Sequence, residues 1–240
     1  MSDSYRLNPR QLLDRGNSAW ERGDYRPALD DFQAVLDVHP GFPDVHNKAG
    51  LCLAMIGDLE GALREFDEAL RITDTYAEAH LNRAIVLQDL GRFREAREDL
   101  QRADELDHQD SSEFPSDVGH RIAIAHANLG DLYLVADHPE EAAVQYKKAL
   151  EVRSNFLDIR SKYAEALMEM ERWDEAQEEF EAILKKNPGF TSARLRLGVV
   201  LLRRGDEAGA RKEWEQCLEE DPDDMRARAY LAAVPEEEAD

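Results

Sequence analysis

One spacing recurs along the chain, and it restricts the fold more than any other feature of the sequence. Alanines stand 34 residues apart in two runs of three, and a step of 46 residues separates the runs: Ala28, Ala62, Ala96, Ala142, Ala176 and Ala210. A large apolar residue follows each alanine by four positions: Phe32, Phe66, Leu100, Tyr146, Phe180 and Trp214. Self-similarity with a period of roughly 20 to 50 residues is typical of solenoids and related architectures, so a stack of similar units is predicted.

Within each repeat, the residue types predict two helices joined by a short turn. A second small residue lies twelve positions before each alanine: Gly16, Gly50, Ala84, Gly130, Ala164 and Gly198. Between the two small positions, four repeats carry a turn signal: Gly23-Asp24, Gly57-Asp58, Gly91-Arg92 and Gly205-Asp206. Prolines, which cannot continue a helix, mark the ends of three repeats: Pro40, Pro188 and Pro222. Each unit is therefore predicted as helix, turn, helix and break.

A unit of this length, with this order of small, small, large apolar and proline residues, resembles the tetratricopeptide repeat. Six units in register cover nearly the whole chain: 9–42, 43–76, 77–110, 123–156, 157–190 and 191–224. The resemblance implies an all-α fold, a right-handed α-solenoid of antiparallel helix pairs. It also implies that the chain works by binding another polypeptide.

The segments at the two ends of the repeat array are short. Residues 1–8 are predicted to form an N-terminal extension, with Asn8 and Pro9 as the cap and first residue of the first helix. Residues 225–234 are predicted to form a capping helix, since a terminal repeat needs a polar outer face. Residues 235–240 are predicted to form an acidic tail.

An insertion separates repeats 1–3, at 9–110, from repeats 4–6, at 123–224. Its residues, 111–122, are expected to lengthen the first helix of repeat four. One interpretation is a tolerated extension of a surface connection, because longer loops cost little entropy. The other is a hinge or contact element between two three-repeat halves.

The charge balance disfavours several classes of partner. Thirty basic residues against 52 acidic residues give a net charge of −22. Such a surface repels nucleic-acid phosphates and anionic lipid headgroups, so a neutral or cationic protein segment is the expected partner and nucleic acid is not.

The cellular location is inferred from what the sequence lacks. No stretch of eighteen apolar residues is present, so direct membrane insertion is not expected. The first residues do not resemble a secretory signal. Cys52 and Cys217 lie in apolar helical patterns and are interpreted as buried thiols. A cytoplasmic protein is therefore expected.

The resemblance places the first helix of each pair on the concave side, and the helical period then predicts which side chains face the groove. The predicted partner-binding residues in repeats one to three are Leu13, Asn17, Trp20, Asn47, Leu51, Met55, Leu81, Asn82, Ile85 and Gln88. Those in repeats four to six are Asn128, Asp131, Leu134, Val135, Lys162, Glu165, Met168, Leu195, Arg196, Val199 and Leu202.

Two interpretations of this largely apolar face stay open. Some of its apolar residues could pack against neighbouring helices or a capping helix of the same chain. Alternatively, they form a groove for an apolar or amphipathic segment, with Asn82 and Asn128 bonding its backbone and Trp20 as an anchor. Many family members bind a C-terminal carboxylate through Lys, Asn and Arg. Leu13 and Glu78 depart from that pattern, so such a clamp is not expected.

No pattern predicts catalysis, a cofactor or a metal site. His46, His80 and His126 occupy the same position of successive repeats. Equivalent atoms of packed helices lie on the order of 10 Å apart, too far for shared coordination near about 2 Å. Phosphate-binding loops, dinucleotide fingerprints and nucleophile elbows are absent from the sequence.

Three functions follow from the sequence. The first is a non-enzymatic scaffold or adaptor that binds a partner segment in its concave groove. The second is a self-assembling scaffold that forms homo-oligomers. The third is a non-catalytic subunit of a larger enzyme or membrane complex.

Overall fold

Helices make up all the regular secondary structure of the described residues. The computed structural model describes residues 8–109 and 117–234, which contain thirteen α-helices. They are α1 (Pro9–Glu21), α2 (Tyr25–Leu36), α3 (Pro43–Met55), α4 (Leu59–Ile72), α5 (Ala77–Asp89), α6 (Phe93–Gln109), α7 (Asp117–Val135), α8 (Pro139–Val152), α9 (Leu157–Glu169), α10 (Trp173–Lys186), α11 (Thr191–Arg203), α12 (Glu207–Glu220) and α13 (Met225–Ala233).

Successive helices form antiparallel pairs, from α1 with α2 to α11 with α12, and α13 follows the sixth pair. The all-α fold with about six helix-pair repeats and a final helix, predicted from the sequence, is confirmed. Helix α7 has 19 residues, whereas α5 and α9 have 13 each. Parts of three predicted segments lie outside the described residues: 1–7 of the extension, 111–116 of the insertion and the tail 235–240.

Two compact units divide the chain. The N-terminal unit extends to Ala125 and the C-terminal unit begins at His126, so the division falls within α7. In the N-terminal unit, residues such as Phe32 and Phe66 form a continuous core between the helix pairs. In the C-terminal unit, Phe180 and Trp214 do the same.

Local sequence signals explain where several helices begin. Asn8 and Gln11 form a capping box, in which each side chain accepts a hydrogen bond from the other residue's backbone N–H, at 2.9 and 3.1 Å. Asp58 and Asp206 accept hydrogen bonds from the backbone N–H groups of Gly61 and Gly209. These caps satisfy backbone donors that have no partner within the helix.

The turn between the helices of a pair places one residue in the left-handed region. Four repeats use a glycine there, with φ between 72° and 88°: Gly23, Gly57, Gly91 and Gly205. Repeats four and five instead carry acidic residues, Asp137 at φ 61° and Glu171 at φ 56°. Both stand at the turn position that the repeat spacing predicts, 46 and 80 residues after Gly91, although a side chain with a Cβ pays a steric cost in this region.

The small and large residues of each repeat pack as their spacing predicts. All six large apolar residues are buried, from Phe32 to Trp214. A Cβ added to Gly50 would lie 2.7 Å from Cε1 of Phe66, so glycine is what lets the ring lie against the first helix. Trp214 lies against Gly198 in the same way, and its Nε1 donates a hydrogen bond to the carbonyl oxygen of Leu195 at 3.0 Å. The close approach of the two helices in a pair therefore depends on these positions.

Candidate partner-binding surface

Most of the predicted partner-binding residues reach the protein surface. We define the first-helix face as the side of the first helices that carries them: α1, α3 and α5 in the N-terminal unit, and α7 from His126, α9 and α11 in the C-terminal unit. Met55 is 54% exposed and Ile85 is 37% exposed, so both present apolar surface to solvent. The partly exposed or exposed members are Leu13, Asn17, Trp20, Leu51, Met55, Ile85, Asn128, Asp131, Leu134, Val135, Lys162, Glu165, Met168, Arg196, Val199 and Leu202.

Five predicted contact residues are instead buried, and the expectation that they face a groove is wrong. Their exposed fractions are 6% or less: Asn47, Leu81, Asn82, Gln88 and Leu195. Each lies on the first helix of a repeat that has another repeat packed beside it, so the neighbouring first helix covers the edge of the predicted face. These residues cannot touch a partner without rearrangement of the fold.

The buried asparagines join neighbouring first helices in the N-terminal unit. Asn82 Nδ2 donates to Asn47 Oδ1 at 2.9 Å, and Asn47 Nδ2 donates to the hydroxyl of Tyr76 at 3.3 Å. Arg121 donates both to Asn82 Oδ1, at 2.5 Å, and to Glu78 Oε1, at 3.1 Å. The amide of Asn82 is therefore used within the fold. The prediction that Asn82 bonds the backbone of a partner is wrong for this reason.

Gln88 is also used within the N-terminal unit, since its Nε2 donates to the carbonyl oxygen of Ala125 at 3.2 Å. Nearer the surface, Lys48 Nζ donates to Asn17 Oδ1 at 2.9 Å and lies 6.0 Å from the ring centre of Phe32. Trp20 packs at 5.1 Å from the ring of Tyr25 while part of it stays exposed. Apart from Asn17, the predicted residues that stay at least partly exposed on the first-helix face of this unit are apolar.

In the C-terminal unit, ion pairs join the first helices. Lys162 Nζ lies 2.7 Å from Asp131 Oδ2, and Arg196 Nε lies 2.8 Å from Glu165 Oε1. Both pairs join residues 31 positions apart, so they connect α7 to α9 and α9 to α11. The hydroxyl of Tyr146 donates to Asp131 at 2.7 Å, and its pKa is raised by burial and by this carboxylate. The polar groups of this part of the face are thus largely paired with one another.

The three histidines at equivalent positions serve the fold rather than a common site. His46 contacts Glu65 and the carbonyl oxygen of Pro40, and His80 contacts Asp99 and the carbonyl oxygen of Asp74. His46 and His80 each join the loop before their helix to the second helix of their own pair, whereas His126 contacts Gln145 on the second helix of its pair. Within residues 8–109 and 117–234, no group of three His, Cys, Asp or Glu side chains is arranged to hold a metal ion.

Burial and hydrogen bonding shift the pKa of Asp99, which is the partner of His80, and burial shifts the pKa of His126. Burial alone would raise the pKa of Asp99, but hydrogen bonds from His80 and Arg83 outweigh it and hold the pKa below its usual value. His126 is fully buried, and burial lowers its pKa to about 4. Its Nδ1 lies 2.9 Å from Gln145 Oε1, whereas its Nε2 has no hydrogen-bond partner among the described residues. His126 is therefore a neutral core residue near pH 7.

An open cleft of about 460 Å³ lies on the first-helix face of the C-terminal unit. Its lining comes from the end of α7, the following turn, the start of α8, and from α9 and α11: Leu134, Asp137, Pro139, Glu165, Met168, Glu169 and Arg196. Sequence reasoning identified Leu134, Glu165, Met168 and Arg196 as face residues but missed Asp137, Pro139 and Glu169. The one signal in the sequence was the replacement of the turn glycine by Asp137.

Comparison with known families identifies the repeat. A tetratricopeptide repeat model matches residues 13–77 and 162–225, which together exceed half of the chain, and two further tetratricopeptide repeat models match residues 133–189 and 77–110. The chain belongs to the tetratricopeptide repeat family. Members of this family mediate protein–protein interactions and are typically non-catalytic.

Solved structures of other proteins have the same fold as this tetratricopeptide repeat (TPR) protein. YrrB, described as a TPR protein with an unusual peptide-binding site, is 21% identical with a TM-score of 0.58, over 83% of this chain and 96% of YrrB. MamA is 22% identical with a TM-score of 0.61, over 75% of this chain and 92% of MamA. PilF of Pseudomonas aeruginosa is 17% identical with a TM-score of 0.56, over 94% and 97% of the two chains. At such identities the likeness concerns the fold alone.

Among the residues that the structure describes, no helix combines the length and the apolar character needed to cross a bilayer.

Proposed function

We propose that this TPR protein is a non-enzymatic scaffold or adaptor that holds an apolar or amphipathic segment of a partner protein on its first-helix face. The family mediates protein–protein interactions, and the residues described form only helix pairs and a final helix. The similarity of the fold to YrrB, a TPR protein with a peptide-binding site, supports the same class of ligand.

One observation carries the proposal. Met55 and Ile85 expose 54% and 37% of their surface on the first-helix face of the N-terminal unit, next to the half-buried Leu51. Leu51 and Ile85 occupy equivalent positions of successive repeats, 34 residues apart. Apolar side chains that stay exposed at equivalent positions indicate a surface that is covered in a complex. Methionine suits such a surface because its flexible side chain adapts to different ligands.

The proposal is tested with peptides selected from a random display library against the whole protein. The affinities of selected peptides are then measured for the double variant Met55→Asp/Ile85→Asp and for the control Val144→Asp. Val144 is 51% exposed but lies on α8, a second helix, so the control introduces the same charge into an exposed apolar position elsewhere.

We expect the double variant to weaken binding by roughly tenfold or more, since charges in an apolar contact must be desolvated. The control should bind within about twofold of the unchanged protein, a difference of well under 1 kcal/mol. Circular dichroism checks that both variants stay helical. Failure to select any binder, or equal affinity for all three proteins, contradicts the proposal.

A homo-oligomeric scaffold is the second candidate, and α13 favours it. Met225 is 73% exposed and Tyr230 is 38% exposed on this helix, which has no following helix among the described residues. The outer face of the capping helix, which was predicted to be polar, therefore also carries apolar surface. Light scattering over a concentration range tests this candidate: a mass equal to one chain at every concentration removes it. No observation favours the third candidate, a subunit of a larger enzyme or membrane complex.

A further inference from the structure

The cleft of the C-terminal unit has an apolar floor. Leu134 and Met168 line it from α7 and α9, and they occupy equivalent positions of successive repeats. Leu202 continues the row on α11, again 34 residues further along the chain, and is also partly exposed. Neighbouring packed helices lie on the order of 10 Å apart, so a ligand that crosses them meets one apolar side chain at about that interval.

The rim of the cleft is acidic. Three carboxylates line it, from Asp137, Glu165 and Glu169, against the single guanidinium of Arg196. Glu165 is paired with Arg196 at 2.8 Å. The carboxylates of Asp137 and Glu169 are exposed, and neither makes an ion pair or a side-chain hydrogen bond within the described residues. The rim therefore carries two negative charges that the fold does not neutralise, on a chain whose net charge is −22.

The polar groups around the cleft favour a helical ligand over an extended one. An extended segment needs partners for its backbone N–H and C=O groups. The cationic donors here, Lys162 and Arg196, are already paired with Asp131 and Glu165, so the backbone C=O groups of an extended segment would compete with those carboxylates for them. A helix satisfies its own backbone, and about seven residues of helix rise 10.5 Å, which matches one apolar contact per repeat.

We propose that this cleft binds a basic amphipathic helix of a partner protein. The apolar side of the helix lies on Leu134, Met168 and Leu202, and flanking Lys or Arg side chains pair with Asp137 and Glu169. This inference rests on the proposed function and specifies the ligand class for the C-terminal unit. Nucleic acid is a poor alternative because the same carboxylates repel phosphate.

The test uses the whole protein and two fluorescently labelled synthetic helices of about 18 residues, or about five turns. Both carry leucines along one side, and their other positions are Lys and Arg in the basic peptide and Glu in the acidic peptide. Fluorescence anisotropy gives the affinities at low and high salt. We expect the basic peptide to bind at least about tenfold more tightly than the acidic one at low salt. This difference in affinity should become smaller at high salt, because salt screens the charges.

Three variants locate the interaction. Asp137→Asn with Glu169→Gln removes the two rim charges, and asparagine tolerates the left-handed backbone of position 137. Glu178→Gln with Glu219→Gln is the matched control, since both residues are exposed on second helices and the net charge changes equally. We expect the rim variant to weaken binding of the basic peptide by roughly tenfold and the control by less than about twofold. Met168→Ala should weaken binding by about fivefold through lost apolar contact.

Each outcome bears on the inference. Equal losses in the rim variant and the control indicate nonspecific charge attraction and overturn it. Equal affinities for the two peptides, with both weakened by Met168→Ala, overturn the basic preference but leave an apolar segment-binding face intact. Binding of neither peptide also overturns the inference, while the peptides selected for the test at Met55 and Ile85 still decide the proposed function.

Discussion

His46 lies between two hydrogen-bond acceptors, with Nδ1 2.7 Å from Glu65 Oε2 and Nε2 3.0 Å from the carbonyl oxygen of Pro40. Arg194 makes the same two kinds of contact, with Glu213 at 3.0 Å and with the carbonyl oxygen of Pro188 at 2.6 Å. The carbonyl group lies six residues before this position and the carboxylate 19 residues after it in both repeats. At one position of the repeat, the side-chain nitrogens of either histidine or arginine therefore connect the preceding loop to the second helix.

We predict that arginine can replace His46 at little cost, whereas alanine cannot. His46→Ala removes two hydrogen bonds in a buried region and should lower the free energy of unfolding by about 1–2 kcal/mol. His46→Arg should stay within about 0.5 kcal/mol of the unchanged protein, because Arg194 makes both contacts in an equivalent repeat. Urea unfolding measures both changes. An equal loss in the two variants would show that His46 contributes to stability through the packing of its ring and not through its two hydrogen bonds.

His126 should make the stability of the protein depend on pH in the weakly acidic range. Burial lowers its pKa to about 4 from the usual histidine value of 6.5, so between these values the unfolded chain binds a proton that the folded chain does not. The stability that depends on a neutral His126 is fully present above pH 6.5 and is lost progressively as the pH falls toward 4. The resulting decrease in the free energy of unfolding has an upper bound of about 3 kcal/mol.

The comparison variant is His126→Gln, which keeps a hydrogen-bonding side chain that does not titrate. Urea unfolding at several values between pH 7 and pH 4 should show a steeper loss for the unchanged protein than for the variant. Parallel curves for the two proteins would mean that folding does not change the pKa of His126, which would contradict the prediction.

Gly198 should tolerate no side chain. A Cβ at this position would lie 2.2 Å from Nε1 and 2.6 Å from Cε2 of Trp214, which is buried and hydrogen-bonded. We expect Gly198→Ala to lower the free energy of unfolding by about 1–3 kcal/mol, the usual cost of overpacking a core. Gly41→Ala is the control, because nothing lies within 4 Å of a Cβ there and it should change stability little. Thermal unfolding compares the two, and similar midpoints would contradict the packing argument.

The sequence predicted the parts of the fold that repeat. The burial of Phe66 beside Gly50 and of Trp214 beside Gly198 follows from a fixed spacing, because each such pair lies within one unit of 34 residues. The first-helix face was predicted less well. Asn82 and Leu81 are buried because the neighbouring repeat packs over them, and the helical period of one helix carries no information on how far its neighbour extends.

The acidic cleft was missed for a different reason. Asp137 belongs to a turn and Glu169 ends a helix, and both have residue types that are ordinary at such surface positions. Only the packing of α7, α9 and α11 brings them to one rim beside Met168. Sequence periodicity assigns side chains to faces of single helices, whereas a cleft depends on the arrangement of several.

The position of a bound segment tests the central claim most directly. A photoreactive benzophenone side chain placed at Met55, at Ile85 or at Val144 records what touches each position, and mass spectrometry identifies the linked residues of a display-selected peptide. Met55 and Ile85 lie on the first-helix face, and Val144 lies on a second helix. We predict crosslinks from positions 55 and 85 and none from position 144. Crosslinks from position 144 alone would contradict the assignment of the first-helix face as the binding surface.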